Sequence, residues 1–351
     1  MRDVFPILQR WLADGRRVVM ARVIATWGSS PRETGSVMLI RDDLLVAGSV
    51  SGGCIEGAVI QEAESVFADG QPRVLEFGVS DERAWSVGLS CGGRVRVLVE
   101  PHFLFTGRSE DRSIWQQLEQ AMITNEPALL LTWLPPQNHR HLLITPEAIT
   151  DGTVDSPLPS PLRNAVLRSW QERTSQQIDI DGEEIFCHYF SRQPVLLLIG
   201  AAHISIPLIN FAQELGFRTV VIDPRRIFTS TERFDRQPDV LDDRWPQEAL
   251  KEVPLHEDTY AVTLTHDPKI DDPALHILLK SPVAYIGALG SQRTHEKRVN
   301  RLLEAGFTRE DISRIHAPVG LDIDARNPSE IALSIMAQIV AVRNARRRTP
   351  E

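Results

Sequence analysis

The sequence predicts an α/β protein in which a C-terminal Rossmann-like, doubly wound parallel sheet follows a smaller N-terminal α/β or α+β domain. The run VLLLIG, beginning at Val195, is continuously apolar, as in a strand covered on both faces. Strands and helices then alternate, which is typical of a parallel sheet with helices on both sides. Because 351 residues exceed one ordinary core, we expect two domains, residues 1–190 and 191–351.

Composition and charge exclude several classes of protein. The net charge of −9 argues against a nucleic-acid-binding protein, which needs a basic face. No apolar run is long enough to predict a membrane span, and the charged N-terminus is unlike a signal peptide. Three cysteines make a poor disulfide framework, so a reducing, cytoplasmic location is expected. The cysteines also lack the C-x-x-C spacing and paired histidines of a zinc site, and no metal is predicted.

The elements of the N-terminal domain follow from local patterns. Apolar residues recur at helical spacing from Val4 to Leu12, and Gly15 ends this helix. Five strands are predicted by the runs VVMARVIATWG, SVMLI, LLVAGSV, RVLEF and RVRVLVE. The run CIEGAVIQEAESVFADG predicts a helix that ends at Gly70.

The middle of the chain carries weaker signals. SIWQQLEQAMIT predicts a helix and ALLLTWL a strand. The segment from Pro146 to Pro161 is rich in turn-forming residues and is predicted to be a linker or a long surface loop. QQIDIDGEEIFCHYF predicts a hairpin that turns at Asp181 and Gly182. We expect these elements to extend the sheet of the first domain.

The C-terminal domain opens with a dinucleotide-type unit. LLLIGAAHISIPLINFAQELGF predicts a strand, a tight turn and a helix, and the next strand ends in Asp223. Such a unit places a phosphate on the helix N-terminus and a ribose beside the acid. The three glycine positions of the fingerprint hold Gly200, Ala202 and Ser205, so the fold is predicted more strongly than NAD(P) binding. His203 is either a ligand contact or a solvent-facing residue of the first turn.

A second candidate site lies in YIGALGSQRTHEKR. A strand there leads into Gly287, Gly290 and Ser291, and Arg293 enters the following helix. Loop amides, a helix N-terminus and a guanidinium together favour an anion such as phosphate. The alternative is an ordinary glycine turn before a basic helix. His266 follows the neighbouring strand and is expected at the same carboxyl edge of the sheet.

Three motifs rich in glycine and serine border strands of the first domain, and we expect them to meet at one sheet edge. They are GSSPRETGSVM, GSVSGGCIEGAV and SCGG. Their hydroxyls, amides and single arginine suit a polyanion or a polar heterocycle. Cys54 is predicted to open a helix, whose N-terminus stabilises a thiolate, which makes it a weak nucleophile candidate. The alternative is a small buried residue beside a turn. The candidate binding residues of the three motifs are Ser30, Arg32, Ser51, Gly52, Gly53, Cys54, Cys91 and Gly92.

Together these motifs resemble the XdhC/CoxI family, the accessory factors of xanthine dehydrogenase and related molybdenum hydroxylases. The resemblance covers the two ends of the chain and implies a small N-terminal domain followed by a Rossmann-like domain. The matching runs, in order, are GSSPRETGSVMLI, GSVSGGCIEGAV, SCGG, LLLIGAAH, VVIDPR, YIGALGSQRTHEKR and HAPVGLDIDARNPSEIALSIMAQIVA. The family usually has glycine where this chain has Ala202, which weakens any transfer of nucleotide binding to that turn.

The resemblance implies a maturation factor, and it identifies no single residue as a secure catalytic residue. Such a protein binds the molybdenum cofactor (molybdopterin), helps its terminal sulfido ligand to be installed, and inserts it into an apo-hydroxylase. A cysteine desulfurase and the target hydroxylase are the implied partners, and a homodimer is a further expectation. Two alternatives stay open at this stage: an oxidoreductase that uses NAD(P), and a regulator that binds a nucleotide without chemistry.

Overall fold

The computed structural model describes residues 1–28, 32–78, 93–136, 138–150 and 158–348. The chain divides into two compact units, Met1–Arg192 and Gln193–Glu351. Within the described residues, no helix is both long and apolar enough to cross a membrane.

The first unit begins with an antiparallel sheet of five strands in the order β3-β2-β1-β5-β4. One face packs on the second helix, whose Val59, Ala63 and Val66 are buried against Val19 and Val97. The elements are α1 Phe5–Ala13, β1 Val18–Trp27, β2 Val37–Arg41, β3 Val46–Gly48, α2 Glu56–Asp69, β4 Arg73–Phe77 and β5 Arg94–Pro101. The predicted stop of α2 is confirmed, since Gly70 adopts the left-handed conformation there.

The middle of the chain forms a sheet of its own, with strand order β7-β6-β9-β8. The expectation that it extends the first sheet is therefore wrong. Alternation along β6 is the reason: Ala128 and Leu130 pack against Val18 and Met20 of the first sheet, so the two sheets meet face to face. The elements are α3 Ser109–Ile123, β6 Ala128–Trp133, β7 Arg140–Ile144, α4 Pro146–Thr150, α5 Ser160–Glu172, β8 Gln176–Ile180 and β9 Glu183–Phe190.

Two further predictions fall in this middle region. The hairpin is confirmed, because β8 and β9 pair antiparallel around Asp181 and Gly182. The segment predicted to be a linker is partly helical instead, since it contains α4 and the first residues of α5. Proline explains this difference: Pro146 begins α4 and Pro161 lies in the first turn of α5, where its fixed φ suits a helix.

The second unit confirms the predicted Rossmann-like fold. Its six strands are all parallel, in the order β12-β11-β10-β13-β14-β15. Helices cover both faces, with α6 and α11 on one side and α8 and α9 on the other. The elements are β10 Val195–Ile199, α6 Ser205–Glu214, β11 Arg218–Ile222, β12 Val240–Asp242, α7 Pro246–Ala249, β13 Thr259–Thr263, α8 Pro268–Leu278, β14 Tyr285–Ala288, α9 Gln292–Glu304, α10 Arg309–Ser313, β15 Ile315–His316 and α11 Pro328–Arg348.

Candidate functional site

The turn after β10 requires glycine. Gly200 has a φ of +113°, and a Cβ built there would lie 2.7 Å from the Thr265 methyl group. Its N–H donates to the carbonyl of Ile222, which fixes the turn at the carboxyl edge of the sheet. Ser205, which occupies the third glycine position of the fingerprint, is accommodated because its buried hydroxyl donates to the Ala202 carbonyl at 2.6 Å.

Asp223 lies at the end of β11 with its carboxylate fully buried. It accepts hydrogen bonds from the N–H of Ala201 at 2.8 Å and of Arg225 at 3.0 Å. The Arg225 guanidinium adds a bidentate pair at 2.9 and 2.7 Å and stacks on the ring of Phe228. The carboxylate thus fastens the first turn to the segment after β11, and a ribose hydroxyl would compete with these bonds.

The turn between β14 and α9 is open to an anion. Gly290 has a φ of +136°, and the Ser291 hydroxyl caps α9 by accepting the Thr294 N–H. Among the described residues, nothing accepts from the first-turn amides of Gln292 and Arg293, and the exposed Arg293 guanidinium has no hydrogen bond or ion pair. Free amides at a helix N-terminus beside a free guanidinium have the donors that a phosphate needs.

A buried arginine lies beneath this turn. The Arg298 side chain is 2% exposed and donates from Nη2 to the carbonyl of Leu289 at 2.9 Å. Its Nε and Nη1 atoms have no hydrogen-bond partner among the residues that the structure describes, and burial lowers the pKa of this guanidinium. Asp271, also buried, accepts from the Thr265 hydroxyl at 2.6 Å, and its pKa is raised by burial. Sequence reasoning missed Arg298, although a basic residue four before the buried Leu302 lies on the apolar face of α9.

The glycine-rich loop before α2 encloses a carboxylate of its own chain. Glu56 lies in the first turn of α2, directly after the loop. Partial burial raises the pKa of Glu56, but the surrounding hydrogen bonds outweigh this and lower it to about 2. The donors to its two oxygens are the hydroxyls of Ser49 and Ser51 and the amides of Val50, Ser51, Gly52 and Gly53. These amides therefore already hold an anion, and it belongs to the protein.

Cys54 and Arg32 lie around this loop. The N–H of Cys54 donates to the Ser51 hydroxyl at 3.0 Å, and its half-buried side chain packs in the apolar cluster under α2. The helix begins at Glu56, so Cys54 precedes it rather than opening it. Arg32 donates from Nε to the carbonyl of Ser49 at 3.2 Å, which brings two of the three predicted motifs together. The remaining candidates, Ser30, Cys91 and Gly92, lie outside the described residues.

Two family models match the chain. The XdhC Rossmann domain matches residues 196–339, and the XdhC and CoxI family matches residues 11–78. The two matched ranges together exceed half of the chain.

The chain belongs to the XdhC and CoxI family.

This XdhC/CoxI chain is similar to known proteins over nearly its whole length. It is 26% identical over 348 residues to a protein of Bacillus subtilis (strain 168) named as a probable xanthine dehydrogenase subunit, covering 98% of each chain. It is 25% identical over 334 residues to the molybdenum cofactor insertion chaperone PaoD of Escherichia coli (strain K12), covering 95% of this chain and 85% of PaoD. A crystal structure described as a xanthine dehydrogenase from Bacillus halodurans superposes with a TM-score of 0.76 at 26% identity, over 99% and 97% of the two chains.

In the Rossmann-like unit of this XdhC/CoxI chain, the other candidate residues predicted from the sequence are of two kinds: one glycine is required for close packing, and two histidines are exposed. A Cβ at Gly287 would lie 2.6 Å from Val319, so close packing within the unit requires this glycine. His203 and His266 are exposed, and His266 adopts a φ of +61°, which is rare for a residue with a side chain. His266 follows β13 as expected, directly after Thr265.

Proposed function

We propose that this protein binds the molybdenum cofactor and delivers it to an apo molybdenum hydroxylase such as xanthine dehydrogenase. Similarity to PaoD, named as a molybdenum cofactor insertion chaperone, supports this over 95% of the chain. The observation that carries the proposal is the turn between β14 and α9, where unbonded amides and the free Arg293 guanidinium lie at the carboxyl edge of the parallel sheet. Ligands of open α/β sheets bind at this edge.

The residues at this turn fit a phosphate-bearing cofactor. Molybdopterin combines a phosphate or dinucleotide tail with a polar pterin and a dithiolene that holds the metal. Arg293 and the Gln292 amide would hold the phosphate, and the two unbonded nitrogens of buried Arg298 supply further positive charge beneath it. When bound, the cofactor supplies the redox-active metal, while this chain's own residues bind and orient it.

The first turn of the Rossmann-like unit is a poorer site for NAD(P). A ribose at Asp223 would have to displace the bidentate Arg225 pair and the Ala201 amide. Ala202 in addition presents a methyl group where the backbone normally approaches a pyrophosphate. We therefore favour the cofactor carrier over the oxidoreductase and over a nucleotide-binding regulator, and we include Gly200 and His203 only as residues beside the bound ligand.

In the first unit, Cys54 and Arg32 are hydrogen-bonded to the loop that Glu56 holds. We retain these two residues, with Ser51, Gly52 and Gly53, as the first unit's own candidate contacts to a polar heterocycle, since the amides of this loop are already bonded to Glu56. The proposal extends to sulfuration of the cofactor, with a cysteine desulfurase as the partner that supplies sulfur.

The test is to express the chain in cells that make the cofactor, and to measure molybdenum and pterin fluorescence per purified chain. The wild type should carry both. Arg293→Ala should weaken retention by about 10- to 150-fold, the equivalent of one lost charged hydrogen bond of about 1.5–3 kcal/mol. Arg309→Ala is the matched control, because this exposed arginine lies on α10, which precedes β15 and so lies at the opposite edge of the sheet. Wild-type protein without either signal would contradict the proposal.

A further inference from the structure

A cluster of polar side chains is buried between the two sheets of the first unit. Glu100, near the end of β5, is 1% exposed, and Arg22 of β1 is 2% exposed. His139 and His141 approach them from the start of β7, with side chains 13% and 2% exposed. None of these residues belongs to the glycine-rich loop or to the Rossmann-like unit, so the proposed carrier function does not use them.

The two imidazoles converge on one carboxylate oxygen. His139 Nε2 lies 3.1 Å from Glu100 Oε2, and His141 Nε2 lies 3.6 Å from the same atom. One nitrogen or oxygen atom from each of these residues lies within 4.8 Å of the other two. Ligands about 2.0 Å from a tetrahedral ion are separated by about 3.3 Å, so these spacings are those of a coordination shell.

The hydrogen bonds of His139 leave its Nε2 atom facing Glu100 Oε2, and a cation between these two atoms would satisfy both. His139 Nδ1 lies 2.9 Å from the carbonyl of Trp133, which can only accept, so Nδ1 carries the proton. With Nδ1 as the protonated nitrogen of a tautomer that carries one proton, Nε2 presents a lone pair to the Glu100 carboxylate. Within the part of the chain that the structure describes, neither oxygen of Glu100 meets hydrogen-bond geometry with a donor, although Arg22 Nη2 lies 2.6 Å from Oε1. Two facing acceptors in a buried site require a positive centre between them.

We propose that Glu100, His139 and His141 bind one divalent transition-metal ion, with Zn²⁺ as the reference ion. Two histidines and a glutamate form a ligand set that zinc uses when a fourth position stays open. The outer contacts match such a site: the Trp133 carbonyl orients His139, and the Thr132 hydroxyl lies 3.1 Å from His141 Nδ1. Arg22 holds the other oxygen of Glu100 and also donates to Thr132 at 2.8 Å.

This site departs from the expectation that the chain holds no metal. That expectation depended on cysteine spacing and on paired histidines near the cysteines. The sequence signal of a metal site lies in the run His139-Arg140-His141, away from the cysteines, because alternate residues of a strand point to the same face. Glu100 joins them only through the packing of the two sheets, which no local spacing reveals.

The experiment is a Zn²⁺ titration of the full chain after removal of metals by dialysis against a chelator. Competition with a chromophoric chelator should give one Zn²⁺ per wild-type chain. His139→Ala should weaken this affinity by at least about 100-fold, because a direct ligand is lost. His276→Ala, which removes a half-buried histidine of the other unit that has no proposed binding role, should bind as the wild type does.

A second measurement separates the site from misfolding and from thiol binding. Zn²⁺ should raise the melting temperature of the wild type and not that of a cooperatively melting His139→Ala variant. Co²⁺ substitution should give a spectrum without thiolate-to-cobalt charge transfer, since the ligand set has no cysteine. Failure of the wild type to bind Zn²⁺ at micromolar concentration, or equal affinity in His139→Ala, would overturn the proposal.

Discussion

Replacing Glu56 with glutamine tests whether the glycine-rich loop is held by a carboxylate of its own chain. The pKa of Glu56 is lowered from 4.5 to about 2. At full value this shift equals about 3 kcal/mol of differential stabilisation. Glu56 is partly exposed, so solvent screening reduces the expected loss of stability in Glu56→Gln to about 1–2 kcal/mol at pH 7. The glutamine amide retains one acceptor, which also keeps the loss below the full value.

The pH dependence gives this prediction its sharpest form. Because the folded pKa is depressed, the stabilisation is complete above the unfolded pKa of about 4.5 and is lost as the pH falls towards 2. Urea unfolding followed by tryptophan fluorescence reports mainly the first unit, which contains six of the seven tryptophans. The urea midpoints of the wild type and the variant should differ at pH 7 and converge below pH 4. Glu64→Gln, an exposed position on the same helix, should show no difference. Equal midpoints at pH 7, or a pH-independent loss, would refute the reasoning.

The remaining predictions concern the second unit and one thiol. Gly200→Ala should cost about 2–3 kcal/mol, because its Cβ would meet a threonine methyl at 2.7 Å at a positive φ. Gly216→Ala, at a φ of +78° with open space around it, should cost about 1 kcal/mol, and urea unfolding compares the two. Asp223→Asn should destabilise the unit by about 2 kcal/mol by breaking the pair between the buried Asp223 carboxylate and the half-buried Arg225 guanidinium, as calorimetry would show. Burial raises the pKa of Cys187 to about 12, so with the other cysteines changed to serine, a thiol reagent at pH 8 should label the chain only after unfolding.

The Rossmann-like unit is predictable because its signals are local. The apolar run of β10, the turn at Gly200 and the 3.6-residue pattern of α6 each lie within a few residues, and parallel strands with alternating helices leave few topologies. The middle of the chain is less predictable, because its arrangement depends on contacts between distant residues. β6 is apolar on both faces, with Ala128 and Leu130 on one and Leu129 on the other, and nothing local tells whether this strand joins the first sheet at its edge or packs on its face.

The candidate sites show the same division between local and long-range information. The turn at Ser291 and Arg293 is visible in the sequence because amides, glycine and guanidinium are adjacent. The role of Glu56 is hidden there, since the loop's amides and hydroxyls suit an external ligand as well as an acid of the same chain. The pairing of Glu100 with His139 and His141 depends on two sheets meeting, and the burial of Arg298 depends on how α9 lies on its sheet.

The central claim is that the chain carries the cofactor to an apo-hydroxylase, and one transfer assay tests it most directly. Chain purified with bound cofactor is mixed with apo xanthine dehydrogenase, and the rate at which hydroxylase activity appears is compared with that given by free cofactor at the same concentration. The account predicts faster activation by the loaded wild type, a weaker effect for Arg293→Ala, and no change for Arg309→Ala. Activation by the loaded wild-type chain no faster than by free cofactor would contradict it.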